Sequence, residues 1–135
     1  MMGEESDIRK ILYIFLTVSL VAAIAFIVPK ILEQNKMEEG VEYLSKNDSE
    51  KAIIVFNEVL ENNKDHVQAQ SMLVQAKKMN LQQQTLKIDR VYKKGDMDQV
   101  INIASKVLKI YGDDPVIGDL TDKVVYTQNK AKTHQ

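Results

Sequence analysis

The sequence predicts an all-α protein: a single N-terminal transmembrane helix followed by a stack of antiparallel helical hairpins. Three observations carry this. An uncharged apolar run extends from Ile11 to Val28. Beyond Leu32 the apolar residues recur with helical period between evenly spaced turn residues. A pattern of apolar positions then returns after forty-eight residues, Ala52, Ile53, Phe56, Val59 and Leu60 matching Val100, Ile101, Ala104, Val107 and Leu108.

The apolar run reads ILYIFLTVSLVAAIAFIV. At about 1.5 Å per residue it spans roughly 27 Å, close to the thickness of the hydrocarbon layer. Ile31 and Leu32 extend it if Lys30 snorkels, which bounds the span at 11–32 behind a polar segment, 1–10. Pro29 is a candidate kink at the exit. Hydroxyls at Thr17 and Ser19 can bond back to their own helix. A cleavable signal peptide is the main rival, with Ala23-Ile-Ala25 as its small-residue site. That site lies inside the run, and Glu4, Glu5 and Asp7 make the leading segment acidic, so an uncleaved anchor is expected. Arg9 and Lys10 before the span face Lys30, Lys36 and Lys46 after it. The tight basic pair favours the N-terminus inside and the soluble domain across the membrane.

Residues 33–130 form the expected helical domain, with a polar tail at 131–135. The first helix runs from Glu33 to Lys46. Asn47 supplies a left-handed turn and Asp48 caps the next helix, which reaches about Asn63. Asp65 and Gln68 have capping-box spacing for a third helix. Val67 to Lys94 then either bends near Asn80 into a further hairpin, the expected form, or runs as one long helix. Gly95 stops it; Asp96 and Gln99 open a helix to about Ile110, and Gly112 closes that. Asp114 is expected to cap a last helix with Pro115 at its first position.

Small and large residues in this spacing resemble the tetratricopeptide repeat family. Gly40 and Tyr43 occupy its Gly and aromatic places on a first helix. Ala52, Phe56 and Leu60 fit the second, and Ala69, Leu73 and Ala76 the opening of the following one. The match covers about Lys36 to Lys77, with Gly95 to Leu108 as a degenerate copy. Glu39, Glu42 and Lys64 depart from the pattern, and the forty-eight-residue interval is longer than the family's usual thirty-four. The resemblance implies a TPR-like fold that binds protein segments along the first helix of each pair. It places the partner-binding positions at Met37, Val41 and Leu44, then Ser71, Gln75 and Lys78. Met37 and Val41 cannot supply the charged grip on a peptide carboxylate that one subclass uses, so a more apolar groove is expected.

Composition narrows the function classes. The chain carries 18 Lys/Arg and 19 Asp/Glu. Setting aside Glu4, Glu5, Asp7, Arg9 and Lys10 leaves sixteen of each, without the basic surplus that phosphate binding requires. The absence of Cys removes thiolate metal sites and Cys nucleophiles. His66 and His134 are far apart and read as surface residues. Glu38, Glu39 and Glu42 read as a solvated face, with Glu42 and Lys46 as a pair four apart. No phosphate loop, nucleophile elbow or metal-spaced set is present. The expectation is a membrane-anchored adaptor or scaffold, or else a fixed accessory subunit of a large membrane machine such as a translocase, secretion or motility apparatus. Its partners are proteins and, through 11–32, membrane lipid. No enzymatic activity, cofactor, metal, nucleic acid or small-molecule substrate is expected.

Overall fold

A computed structural model describes residues 2–134, and side chains from Asp7 onward. Met1 and Gln135, the ends of the expected polar segment and tail, lie outside the described residues, as do the side chains of Glu4 and Glu5. The described residues are helical throughout, without strands: α1 (Met2–Ser45), α2 (Ser49–Asn62), α3 (Val67–Lys93), α4 (Met97–Tyr111), a 3-10 turn (Gly118–Thr121) and α5 (Asp122–Thr133). Contacts divide the chain into two units, Met1–Lys36 and Met37–Gln135.

In the first unit Pro29 sits inside α1 and does not end it. The anchor and the first soluble helix, expected as separate elements, are one helix. Proline removes a single backbone donor, and the strongly apolar sequence before it and the good helix formers after it sustain the helix on both sides. One helix among the described residues is long and apolar enough to cross a membrane, and none of its most apolar eighteen-residue window is buried. Phe15 is 74 % and Phe26 77 % exposed. A core helix of a soluble fold hides such residues. The Thr17 hydroxyl donates to the Ile14 carbonyl at 2.9 Å, so the span exposes one less unpaired polar group.

In the second unit two apolar clusters share α3. Met37 and Leu44 of α1, Ala52, Phe56 and Val59 of α2, and Ala69 and Ala76 of α3 form the first. Leu81, Ile88 and Val91 of α3 join Val100, Ala104, Val107 and Tyr111 of α4, Ile117, and Val124 and Ala131 of α5 in the second. Small residues at the crossings let the helices approach closely: Ala52, Ala69, Ala76, Ala104 and Ala131 are all fully buried. Burial of Ala131 also extends α5 through Thr133, where a polar tail was expected.

The loops obey their local chemistry. Asn47 adopts φ 59° and Gly95 φ 81°, the left-handed conformation that stops a helix. Asp48 accepts from the Lys51 amide at 3.3 Å and Asp96 from the Gln99 amide at 3.0 Å, so both cap the helices expected of them. Two boundaries differ from expectation. His66, not Asp65, caps α3, its Nδ1 accepting from the Ala69 amide at 3.1 Å. Pro115 does not open the last helix. Asp114 instead holds a turn, accepting from the Val116 and Ile117 amides at 2.9 and 3.2 Å, which drops Ile117 fully into the core. α5 begins only at Asp122.

α3 is unbroken through Asn80, so the expected bend is absent. Asn80 is 6 % exposed, and its amide is used sideways rather than against its own backbone. It donates to Ser49 Oγ of α2 at 3.2 Å and accepts from the Tyr111 hydroxyl of α4 at 2.8 Å. Ser49 Oγ donates on to Gln83 Oε1 at 2.7 Å, and Gln83 Nε2 to the Asn47 carbonyl at 2.9 Å. A polar seam therefore crosses the junction of the two clusters. Among the described residues no buried side-chain nitrogen or oxygen lacks a partner. Asn80→Ala strands the Tyr111 hydroxyl and is expected to cost about 1–3 kcal/mol in urea unfolding. Adding Tyr111→Phe is expected to cost little more, because the orphaned hydroxyl goes with it.

Candidate functional site

The six positions expected to bind a partner do not form one surface. Met37 and Leu44 are 6 % and 8 % exposed and belong to the core. The buried line of α1 runs through Met37, Gly40 and Leu44, three and four residues apart, because Gly40 lets the Phe56 ring lie against the backbone. A Cβ at Gly40 would stand 2.5 Å from the ring. Val41 is turned off this line and is 42 % exposed. Met37 and Leu44, expected to face a partner, instead flank Gly40, the centre of the contact with Phe56. Ser71, Gln75 and Lys78 are exposed and share one side of α3. Glu38, Glu39 and Glu42 are exposed as expected, and Glu42 pairs with Lys46, which holds the Glu42 carboxyl below the usual range.

Of these positions, Lys78 leads into a groove of about 420 Å³. α3 supplies Lys78, Leu81, Gln82, Thr85 and Leu86; the 3-10 turn supplies Leu120 and α5 Lys123. The α3 side continues helically from Ser71 through Gln75, Lys78 and Gln82 to Leu86. Leu81 is buried and forms the floor, while Leu86 and Leu120 are each 52 % exposed at the sides. Thr85 donates its hydroxyl to the Leu81 carbonyl at 2.8 Å, so this hydroxyl is satisfied within α3.

Two ion pairs fix the walls. Lys123 bonds Asp89 across α5 and α3. Lys77 reaches Asp114 at 2.7 Å, with side chains only 28 % and 10 % exposed, tying α3 to the turn that precedes Leu120. The Lys77 ammonium, and after it the Val116 amide, hold the Asp114 carboxyl below the usual carboxylate range. Burial, with the nearby carboxylates of Glu50 and Asp114, pushes the Tyr111 hydroxyl up. A depressed native carboxyl stabilises the fold at neutral pH; its contribution falls as the pH drops from the unfolded value, about 3.9, through the lower native one. Acid unfolding of Asp114→Asn is therefore expected to be shallower than that of the wild type, with the two stabilities converging at low pH.

Residues of the groove escaped sequence reasoning apart from Lys78. Leu86 was not among the expected positions. Leu120 and Lys123 carried no local signal, since their position depends on the Asp114 turn. Among the described residues no group of His, Cys, Asp or Glu is arranged to hold a metal ion. No family model matches the chain, and neither a curated protein nor a solved structure is significantly similar to it.

Proposed function

We propose that the protein is a membrane-anchored interaction module, an adaptor or scaffold that takes a segment of a protein partner into the groove between α3 and the start of α5. The observation that carries this reading is a groove with a buried leucine floor and with Leu86 and Leu120 half-exposed at its sides. The apolar segment of α1 acts as the anchor, with the N-terminus inside and the helical unit across the membrane. Anchoring concentrates the module at one surface, so a modest contact suffices. The likeness to tetratricopeptide repeats belongs to this proposal. Close packing of Gly40 on Phe56 and buried alanines at the crossings support it.

A second reading, a fixed subunit of a larger membrane assembly, is favoured by exposed apolar side chains on several helices. Ile54 is 57 % exposed, Val67 77 %, Ile110 66 % and Tyr126 66 %. Purification of the full chain in mild detergent, beside a Leu86→Asp variant, separates the readings. An adaptor loses its partners with Leu86→Asp while its melting temperature holds. One stoichiometric complex that survives the substitution favours the subunit.

A further inference from the structure

We propose that the helical unit associates with further copies of itself head to tail, the acidic half of one copy against the basic half of the next. The inference goes beyond the groove and does not use it. Its ground is a segregation of charge. Residues 37–65 hold three Lys and eight Asp/Glu, and residues 66–135 hold eleven Lys/Arg and seven Asp/Glu, a net of −5 against +4. The division follows the two apolar clusters. The acidic stretch builds the end of α1 and α2, which pack in the first. α3 joins both clusters, and its charged residues begin only at Lys77, where the second cluster with α4 and α5 takes over. Ion pairs do not cancel the imbalance. Glu42–Lys46 and Asp48–Lys51 lie within the acidic half, Lys77–Asp114 and Asp89–Lys123 within the basic one, so each removes one charge of either sign from the same side.

Exposed apolar side chains accompany the surplus charge in both halves. On α2 Ile54 is 57 % exposed, and the exposed Glu61 lies seven residues on, along the same side. On α4 Ile110 is 66 % exposed, with the exposed Lys106 four residues before it and Lys109 beside it. Glu58 and Glu61 fall at the places that Lys106 and Lys109 take forty-eight residues later. The two helices that repeat one buried pattern therefore carry opposite charge at matching positions. The chain itself is the occupant that offers both signs: an acidic partner leaves the first half unmatched, and a basic partner the second. Residues 37–135 sum to −1, so copies meet little general repulsion. Like halves repel, which disfavours a symmetric pair; the head-to-tail arrangement leaves one half of each end copy open, so growth passes beyond two.

The test is energy transfer between copies of the full chain in vesicles, labelled with donor or acceptor dye on an introduced cysteine, His134→Cys. Glu39→Lys with Glu61→Lys brings the acidic half from −5 to −1, and Lys106→Glu with Lys109→Glu brings the basic half from +4 to 0. All four positions are exposed, so both double variants are expected to melt like the wild type, which circular dichroism checks. Each variant alone is expected to associate about tenfold more weakly than the wild type. Mixing the two restores transfer, because one brings an intact basic half and the other an intact acidic half. Raising salt from about 0.1 M to about 1 M, which shortens the screening length from about 10 Å to about 3 Å, is expected to weaken the wild type too. Should a reversed variant melt early, Gln at the same positions replaces it, with a loss of about threefold expected. Wild-type transfer no higher than chance proximity would overturn the proposal. Transfer that both variants keep would also overturn it, by placing the contact on another surface, and so would a mixture that stays as weak as its components.

Discussion

Phe56→Ala is expected to destabilise the helical unit by about 3–5 kcal/mol, the ordinary cost of emptying a buried aromatic site. Phe56 is fully buried and joins α1, α2 and α3 in one cluster. A domain of this size is stable by about 5–15 kcal/mol, so the change removes a large share of the total. The cavity cannot close easily, because the wall facing the ring is backbone at Gly40. The same geometry reverses a common trend. Gly→Ala inside a helix ordinarily stabilises by up to about 1 kcal/mol, yet Gly40→Ala is expected to destabilise, since the new methyl meets a ring with no room to move. The double variant should be less damaged than the two losses added together, because the methyl enters the space left by the ring. Exposed Glu39→Ala is the reference and should stay within about 0.5 kcal/mol. Urea unfolding of the full chain in detergent, followed by circular dichroism, measures all four. Equal, mild effects for Phe56 and Glu39 would refute the packing of α1 on α2.

The second large effect is expected in the anchor. Leu20 and Ala22 lie near the middle of the uncharged run, and Leu20 is 59 % exposed. On the insertion scale an Arg at the centre of a span costs about 2.5–3.5 kcal/mol, against a small gain for Leu. Leu20→Arg with Ala22→Arg therefore costs about 5–7 kcal/mol, enough to abolish integration of the one candidate span among the described residues. The two positions are two residues apart and point to different sides, so one bend of the helix cannot bring both charges to the surface. Alkaline carbonate extraction should leave the wild type in the membrane pellet and release the double variant. Retention of both would mean that the chain is held by something other than this segment.

What the sequence made legible follows the range of the forces involved. Caps and turn residues act within four positions. Asn47 with Asp48 and Gly95 with Asp96 could therefore be read before any fold was known. The long apolar helix was legible for the same reason, being a property of consecutive residues. The neighbouring acceptors Asp65 and His66 were harder, since a single residue of register decides which one caps α3. Asn80 was misread because an amide that would break an isolated helix is here occupied by Ser49 and Tyr111, each thirty-one residues away. The start of α5 was misread because Asp114 spends its capping capacity on a turn that buries Ile117. The groove was the least legible part. Its two walls come from residues near 80 and near 120, brought together by Lys77–Asp114 and Asp89–Lys123, pairs that no local pattern announces.

Cysteine accessibility tests directly whether α1 spans the membrane and carries the interaction unit. The natural chain contains no cysteine, so single introductions give an unambiguous label. Cysteines placed one at a time from Ile11 to Val28 should all resist a membrane-impermeant maleimide, in sealed and in opened vesicles alike. Cysteines at Gln34 and Asp119 should react from one side of the membrane only. Labelling that recurs every third or fourth residue through 11–28 would place the helix flat on a surface. A mature protein that lacks these positions would make the segment a cleaved signal. Either result would contradict the anchor and the function built on it.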